Sequence, residues 1–180
     1  MKIYKVVSSI GYQFFDTDSL ETTGKLLERN FDDEKSFVFT KITSEELKHI
    51  GDIALVNSAT LFFSKKAKEI YSESGEFFRF TNLDDFELFM PQIIDALDYE
   101  KSEFKYFRDG RIMGIKNFFF KESLIKDLEA FKIKGFCSYP TFLTDKFVEK
   151  YKANNLTGIE FFCVYDSENP ANVGKFIQEM

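Results

Sequence analysis

The 180 residues contain no tryptophan, one histidine, two cysteines and three prolines. Each scarcity removes a class of function. A histidine-based catalytic triad has a single candidate base, His49, in the polar run Glu45-Glu46-Leu47-Lys48-His49 and far from any strained Ser or Cys turn. A residue on the surface of a short helix is its expected role. Cys137 and Cys163 form no CxxC, and no HxxxH pair exists, so no metal site is announced. The chain holds neither GxxxxGK[ST] nor GxGxxG, so no phosphate cradle and no cofactor are expected. No apolar run approaches the ~18 residues of a membrane span. The opening Met1-Lys2-Ile3-Tyr4-Lys5 lacks the apolar core of a secretory signal. Together these features predict a cytoplasmic protein with two reduced, packed thiols. With so little proline and no Gly/Ser-rich stretch, no linker divides the chain, and one domain over 1–180 is expected.

Phenylalanine and acid fill the space left by these absences. There are 24 Phe, which an AT-rich coding bias explains and which burial accommodates by default. Lys and Arg total 24 against 30 Asp and Glu, a net charge of −6. A nucleic-acid binder carries a basic patch, so no nucleic-acid partner is expected. An acidic surface instead suits a basic protein partner, chiefly by speeding encounter. The carboxylate pairs Asp16/Asp18, Asp32/Asp33 and Asp84/Asp85 lack the surrounding pattern of a cation site or an acid–base pair, and read as solvated loops.

The chain reads as short strands with a few helices. Ile3 to Val7 and Tyr12 to Phe15 are predicted strands, and Asp16 to Glu21 a loop. Asp32 to Glu34 is a second acidic loop, followed by a strand over Ser36 to Thr40. Thr43-Ser44-Glu45-Glu46 carries the capping-box spacing, which predicts a short helix ending at Gly51. Phe86 to Met90 is a strand that Pro91 ends, and Ile93 to Asp98 fits either a strand or one helical turn. Asp109-Gly110 between two apolar runs is the strongest hairpin signal in the sequence, joining Phe104–Phe107 to Ile112–Phe120.

One arrangement recurs. Thr60-Leu61-Phe62-Phe63 leads to Ser64, a helix face of Ala67, Ile70 and Tyr71, then Gly75 and the strand Phe77 to Phe80. Eighty residues on, Thr141-Phe142-Leu143 leads to Thr144, a face of Phe147, Val148 and Tyr151, then the strand Ile159 to Val164. The predicted fold is α+β: a mixed, largely antiparallel sheet with a few short helices, as two related strand–helix–strand lobes in one compact domain.

From Pro91 onward the order of short motifs is distinctive. Ile94-Asp95-Ala96-Leu97-Asp98 precedes Lys101-Ser102-Glu103-Phe104, the Asp109-Gly110 hairpin and Phe118-Phe119-Phe120. Thr144-Asp145-Lys146-Phe147 and Asn155-Leu156-Thr157-Gly158-Ile159-Glu160-Phe161 follow. This order resembles a bacterial polymorphic-toxin immunity family, typified by a Myxococcus protein and formerly a domain of unknown function. The resemblance covers about 53–164, with 1–52 as a variable part. It implies a non-enzymatic antidote encoded beside a toxin delivered by a type VI or similar competition system. The motifs themselves read as structural, Gly158 suiting a positive-φ turn and Asp98 and Ser102 a cap or turn.

The expected partner is therefore a cognate toxin, such as a basic nuclease. Asp16, Asp18, Glu21, Asp32, Asp33 and Glu34 are the candidate contact residues. An enzyme with a hidden pocket and a scaffold without a toxin are the alternatives. Exposed sheet edges could also pair two copies as a homodimer.

Overall fold

Short runs rich in Phe, Ile and Val form strands here because alternate residues of each run can face a shared core. The computed structural model describes residues 1–180 except 33–36, 43–48, 58, 82, 84 and 137. Among the described residues the order begins β1 (Lys2–Ser8), β2 (Phe14–Thr17), α1 (Leu20–Glu28), β3 (Phe39–Ile42), β4 (Ile53–Val56) and β5 (Thr60–Ser64). There follow α2 (Lys65–Ile70), β6 (Glu76–Phe78), β7 (Phe86–Met90), β8 (Gln92–Ile94), β9 (Glu103–Tyr106) and β10 (Ile112–Asn117). Next come α3 (Glu122–Ile125), β11 (Ala130–Ile133), β12 (Phe142–Thr144), α4 (Asp145–Ala153) and β13 (Ile159–Asp166), followed by 3-10 turns at Pro170–Asn172 and Ile177–Glu179. Among these residues no helix is long and apolar enough to cross a membrane.

The strands make two mixed, mainly antiparallel sheets, so the α+β expectation holds. One sheet runs β3-β2-β4-β5-β7-β6 and the other β13-β1-β12-β11-β8, while β9 and β10 stand apart as a hairpin. The recurring arrangement in the sequence reflects a shared topology. Reversed, the strands β6-β7-β5-β4-β2 match β13-β1-β12-β11-β8 in every direction: three antiparallel pairs, then one parallel pair. α2 follows β5 as α4 follows β12. β3 has no counterpart in the second sheet, and the connectivity differs. β7 follows β6 along the chain, whereas its counterpart β1 reaches its place beside β13 from the opposite end of the sequence.

The two lobes share a core. Tyr4, Leu143 and Phe161 of one sheet pack in the same buried cluster as Ile53, Phe63 and Phe89 of the other. The equivalent helices meet inside it: the Tyr71 ring stacks on Phe147 at 4.1 Å, and its hydroxyl donates to the Phe147 carbonyl at 2.7 Å. Burial pushes the Tyr71 phenol well above its ordinary pKa, so it remains a donor. A second joint is polar. Asp52 Oδ2 accepts the Thr157 amide at 3.0 Å and its hydroxyl at 3.1 Å, and the Thr157 carbonyl accepts Ile53 N–H at 3.0 Å. Gly158 follows with φ +112°, a conformation that L side chains rarely adopt, and its backbone lies against Gly51 and Ile53.

Several local expectations shift. The loop expected over Asp16 to Glu21 is instead the end of β2 and the start of α1, which Ser19 caps by accepting Thr22 N–H at 3.1 Å. The strand expected over Ser36 to Thr40 begins at Phe39. The capping box at 43–46 lies outside the described residues, as do Ser36, Asp84 and Cys137. His49 is exposed and sits on a β-bridge to Tyr12 rather than in a helix. Thr144 precedes α4 as expected, but its hydroxyl donates to the Leu128 carbonyl at 2.8 Å instead of capping the helix.

Candidate functional site

Aromatic residues are abundant in this chain, and nearly all of them are buried or half-buried. Of its 24 Phe and eight Tyr, only Tyr99, Tyr106, Phe107 and Phe119 are exposed. All four lie on, or at the base of, the β9–β10 hairpin. Ile112 and Met113 are exposed on the same element. Large aromatics left in water on one projecting element are what a protein contact surface needs, since they supply buried area at low entropic cost.

Local chemistry builds the hairpin. Gly110 adopts φ +84° and donates to the Phe107 carbonyl at 3.0 Å, closing the turn that Asp109-Gly110 predicts. Tyr106 pairs with Ile112 across the strands, while Phe104 and Ile115 pair below and pack on the core. The base is pinned by two residues of the family-like motif. Ser102 Oγ accepts Phe119 N–H at 3.0 Å and donates to the Phe119 carbonyl at 3.3 Å, and Asp98 N–H reaches the same carbonyl at 2.8 Å. The Asp98 carboxylate in turn accepts the amides of Glu100 and Lys101, each at 3.2 Å. These bonds and the Lys101 ammonium, the largest influence, hold its carboxyl below the usual range. Both motif residues thus act as a turn and an anchor.

The alternation of the Phe118-Phe119-Phe120 run decides which ring is free. Phe118 and Phe120 stack at 5.9 Å and enter the core, which turns Phe119 outward.

Between the hairpin base and the β1–β13 face lies a groove of about 620 Å³, with a smaller extension of about 310 Å³. The two share Lys5, Ile115 and Phe118. Lys5 and Phe162 pair across β1 and β13, and the Lys5 ammonium lies 4.7 Å from the Phe162 ring centroid. Asp166 also lines the groove, but its carboxylate accepts the Asn172 side-chain amide at 2.7 Å and the backbone N–H groups of Glu168 and Asn169 at 3.0 Å. Burial alone would raise this carboxyl; the hydrogen bonds outweigh it and keep the group below its ordinary pKa. Burial pushes the neighbouring Cys163 thiol up, away from thiolate reactivity.

The hairpin differs in charge from the rest of the molecule. Between Tyr99 and Phe119 there are five Lys or Arg and three Asp or Glu, in a chain of net charge −6. Asp109 pairs with Arg111 at 2.7 Å and Glu103 with Lys116 at 2.9 Å. Lys105 and Arg108 make no ion pair among the described residues.

The acidic residues singled out from sequence are placed elsewhere. Asp16, Asp18 and Glu21 share the exposed corner between β2 and α1, beside Leu20, which is 91% exposed. Glu21 pairs with Lys25 at 3.0 Å, and Asp16 Oδ1 accepts Thr17 N–H at 2.9 Å. Asp32 is exposed after α1, while Asp33 and Glu34 lie outside the described residues. Among the described residues no group of three or more His, Cys, Asp or Glu could hold a metal ion. The aromatic hairpin was not singled out from sequence, although its Asp-Gly turn was.

No curated protein matches the chain. Residues 89–166, from the end of β7 to the last residue of β13, match the model of the Immunity protein family (Imm11); the segment that builds the hairpin, supplies part of the groove lining and contributes Thr157 and Gly158 to the joint is therefore similar to an immunity protein family.

Proposed function

We propose that this protein is an immunity protein that binds and neutralises a cognate toxin effector, and that the β9–β10 hairpin is its principal contact surface. The observation that carries this reading is the gathering of every exposed aromatic side chain at one hairpin, inside the segment that matches the immunity family. The mechanism is stoichiometric occupation, with no bond made or broken. Protection from self-killing calls for tight binding, and a Kd of ~1 nM corresponds to about −12 kcal/mol. An interface of ~1,600 Å² with a few aromatic anchors reaches that range. Tyr106 and Phe107 are the expected anchors.

A second contact reading rests on the β2–α1 corner, where exposed Leu20 stands among Asp16, Asp18 and Glu21. That corner suits a basic toxin such as a nuclease, with the carboxylates speeding encounter.

The test is co-expression with the product of the adjacent reading frame in a sensitive host, followed by pull-down. The expected result is rescue with a one-to-one complex. In that background, Tyr106→Ala with Phe107→Ala should abolish rescue, while Asp16→Lys with Asp18→Lys should mainly slow association. Rescue retained by the hairpin variant and lost by the corner variant would move the contact to the corner. Toxicity without rescue or binding would end the immunity reading for that pair.

A further inference from the structure

We infer that the groove beneath the hairpin receives an acidic segment of the partner polypeptide, whose carboxylate meets the Lys5 ammonium while its apolar neighbours lie against Phe118, Phe119 and Phe162. The inference rests on partner docking at the hairpin and names what enters beside it.

Lys5 stands at the shared wall of the groove and its extension, half-buried, with its ammonium over an aromatic ring. A ring face lowers the energy of the cation without neutralising it. Lys5 has no ion pair among the described residues. The Asp166 carboxylate at the same groove is buried, accepts three hydrogen bonds from Asn172, Glu168 and Asn169, and has Lys2 rather than Lys5 as the cation acting on it. The groove therefore presents the Lys5 ammonium with no carboxylate in direct contact among the described residues, where a charge-assisted hydrogen bond gains more than it would in open water.

Charge complementarity selects the occupant. A nucleic-acid strand needs a row of cations and meets a chain of net charge −6. The groove continues into the exposed aromatic hairpin, and a polypeptide that docks there can extend a side chain into it. One carboxylate flanked by apolar side chains satisfies the lysine and the walls together.

The probe is N-acetyl-Leu-Asp-Phe-amide titrated into the isotope-labelled full chain. Its Asn isostere and inorganic phosphate form separate arms. The expected result is amide shifts confined to Lys5, Ile115, Phe118 and Phe162, with the Asn peptide binding at least tenfold more weakly. Lys5→Met, which keeps the stem, should remove the difference between the two peptides. Equal binding of both peptides, shifts centred elsewhere, no shifts, or phosphate binding as well as the acidic peptide would each overturn the inference. Peptide binding combined with failed toxin rescue would leave the groove assignment standing and sink the immunity reading. Rescue by a Lys5→Met protein whose affinity for the co-expressed toxin is unchanged would do the reverse.

Discussion

Replacing Gly158 with alanine places a methyl group far inside contact distance of the Ile53 carbonyl oxygen and 3.0 Å from Gly51 Cα, at a backbone φ of +112°. Both obstacles are backbone, so neither can swing aside. The conformation alone costs about 1–2 kcal/mol for a residue with a Cβ. Relieving the clash means parting the lobes where Ile53 N–H bonds the Thr157 carbonyl and Thr157 N–H bonds the Asp52 carboxylate, both at 3.0 Å. Each bond contributes about 0.5–1.5 kcal/mol, and the expected total for Gly158→Ala is a loss of about 2–5 kcal/mol. That is a large part of the ~5–15 kcal/mol of an ordinary domain. It corresponds to a Tm lowered by roughly 4–20 °C at this chain length. Gly110→Ala is the internal control: its φ is +84°, yet nothing lies within 4 Å of the added carbon, so only the conformational cost remains. Urea titrations of the two variants separate the terms. If Gly158→Ala loses no more stability than Gly110→Ala, the close approach of the lobes is not a constraint and the reasoning fails.

Tyr71→Phe keeps the stacked ring but removes the bond to the Phe147 carbonyl, and should lower stability by about 0.5–1.5 kcal/mol, against about 3–5 for Tyr71→Ala, measured by chemical unfolding. Ser102→Ala should speed hydrogen exchange at Phe119 and along β9–β10 while leaving β4 and β5 protected; uniform acceleration would contradict its role as the hairpin anchor. Burial pushes the Tyr151 and Tyr165 phenols up to about 12, with Glu122 adding to the shift at Tyr165. Unfolded tyrosine titrates near ~10, so the preference of the fold for the neutral phenol is intact below ~10 and is lost as pH rises through the folded values. Urea midpoints should therefore fall between about pH 10 and 12, and an unchanged midpoint across that window would refute the assignment.

The helical repeats were legible because apolar residues at i, i+1 and i+4, as in Phe147, Val148 and Tyr151, admit one face and one period. The β9–β10 hairpin was legible because Asp-Gly fits few other turns. α1 is hidden by composition: the acidic run Asp16 to Glu21 suits a loop, and the Ser19 cap and the burial of Leu26 emerge only in the fold. The docking surface was illegible for another reason. Phe118 and Phe119 are chemically identical and adjacent, and only the packing of the whole fold decides which one meets water. The acidic residues drew attention through net charge, a property of the chain rather than of any place on it.

The placement of β1 between β12 and β13 has a consequence for the order of events during synthesis. β2 to β7 can pair as soon as Met90 has emerged, since every strand of that sheet lies between Phe14 and Met90. β1 is made first yet has no partner until Phe142–Thr144 and Ile159–Asp166 exist. The first sheet to be completed thus forms while the earliest strand waits unpaired, and the late closure by β13 brings the sequence-distant contacts that slow folding. Pausing translation once Met90 has cleared the ribosome, and before Phe142 does, should leave the first sheet protected from protease and β1 open to it.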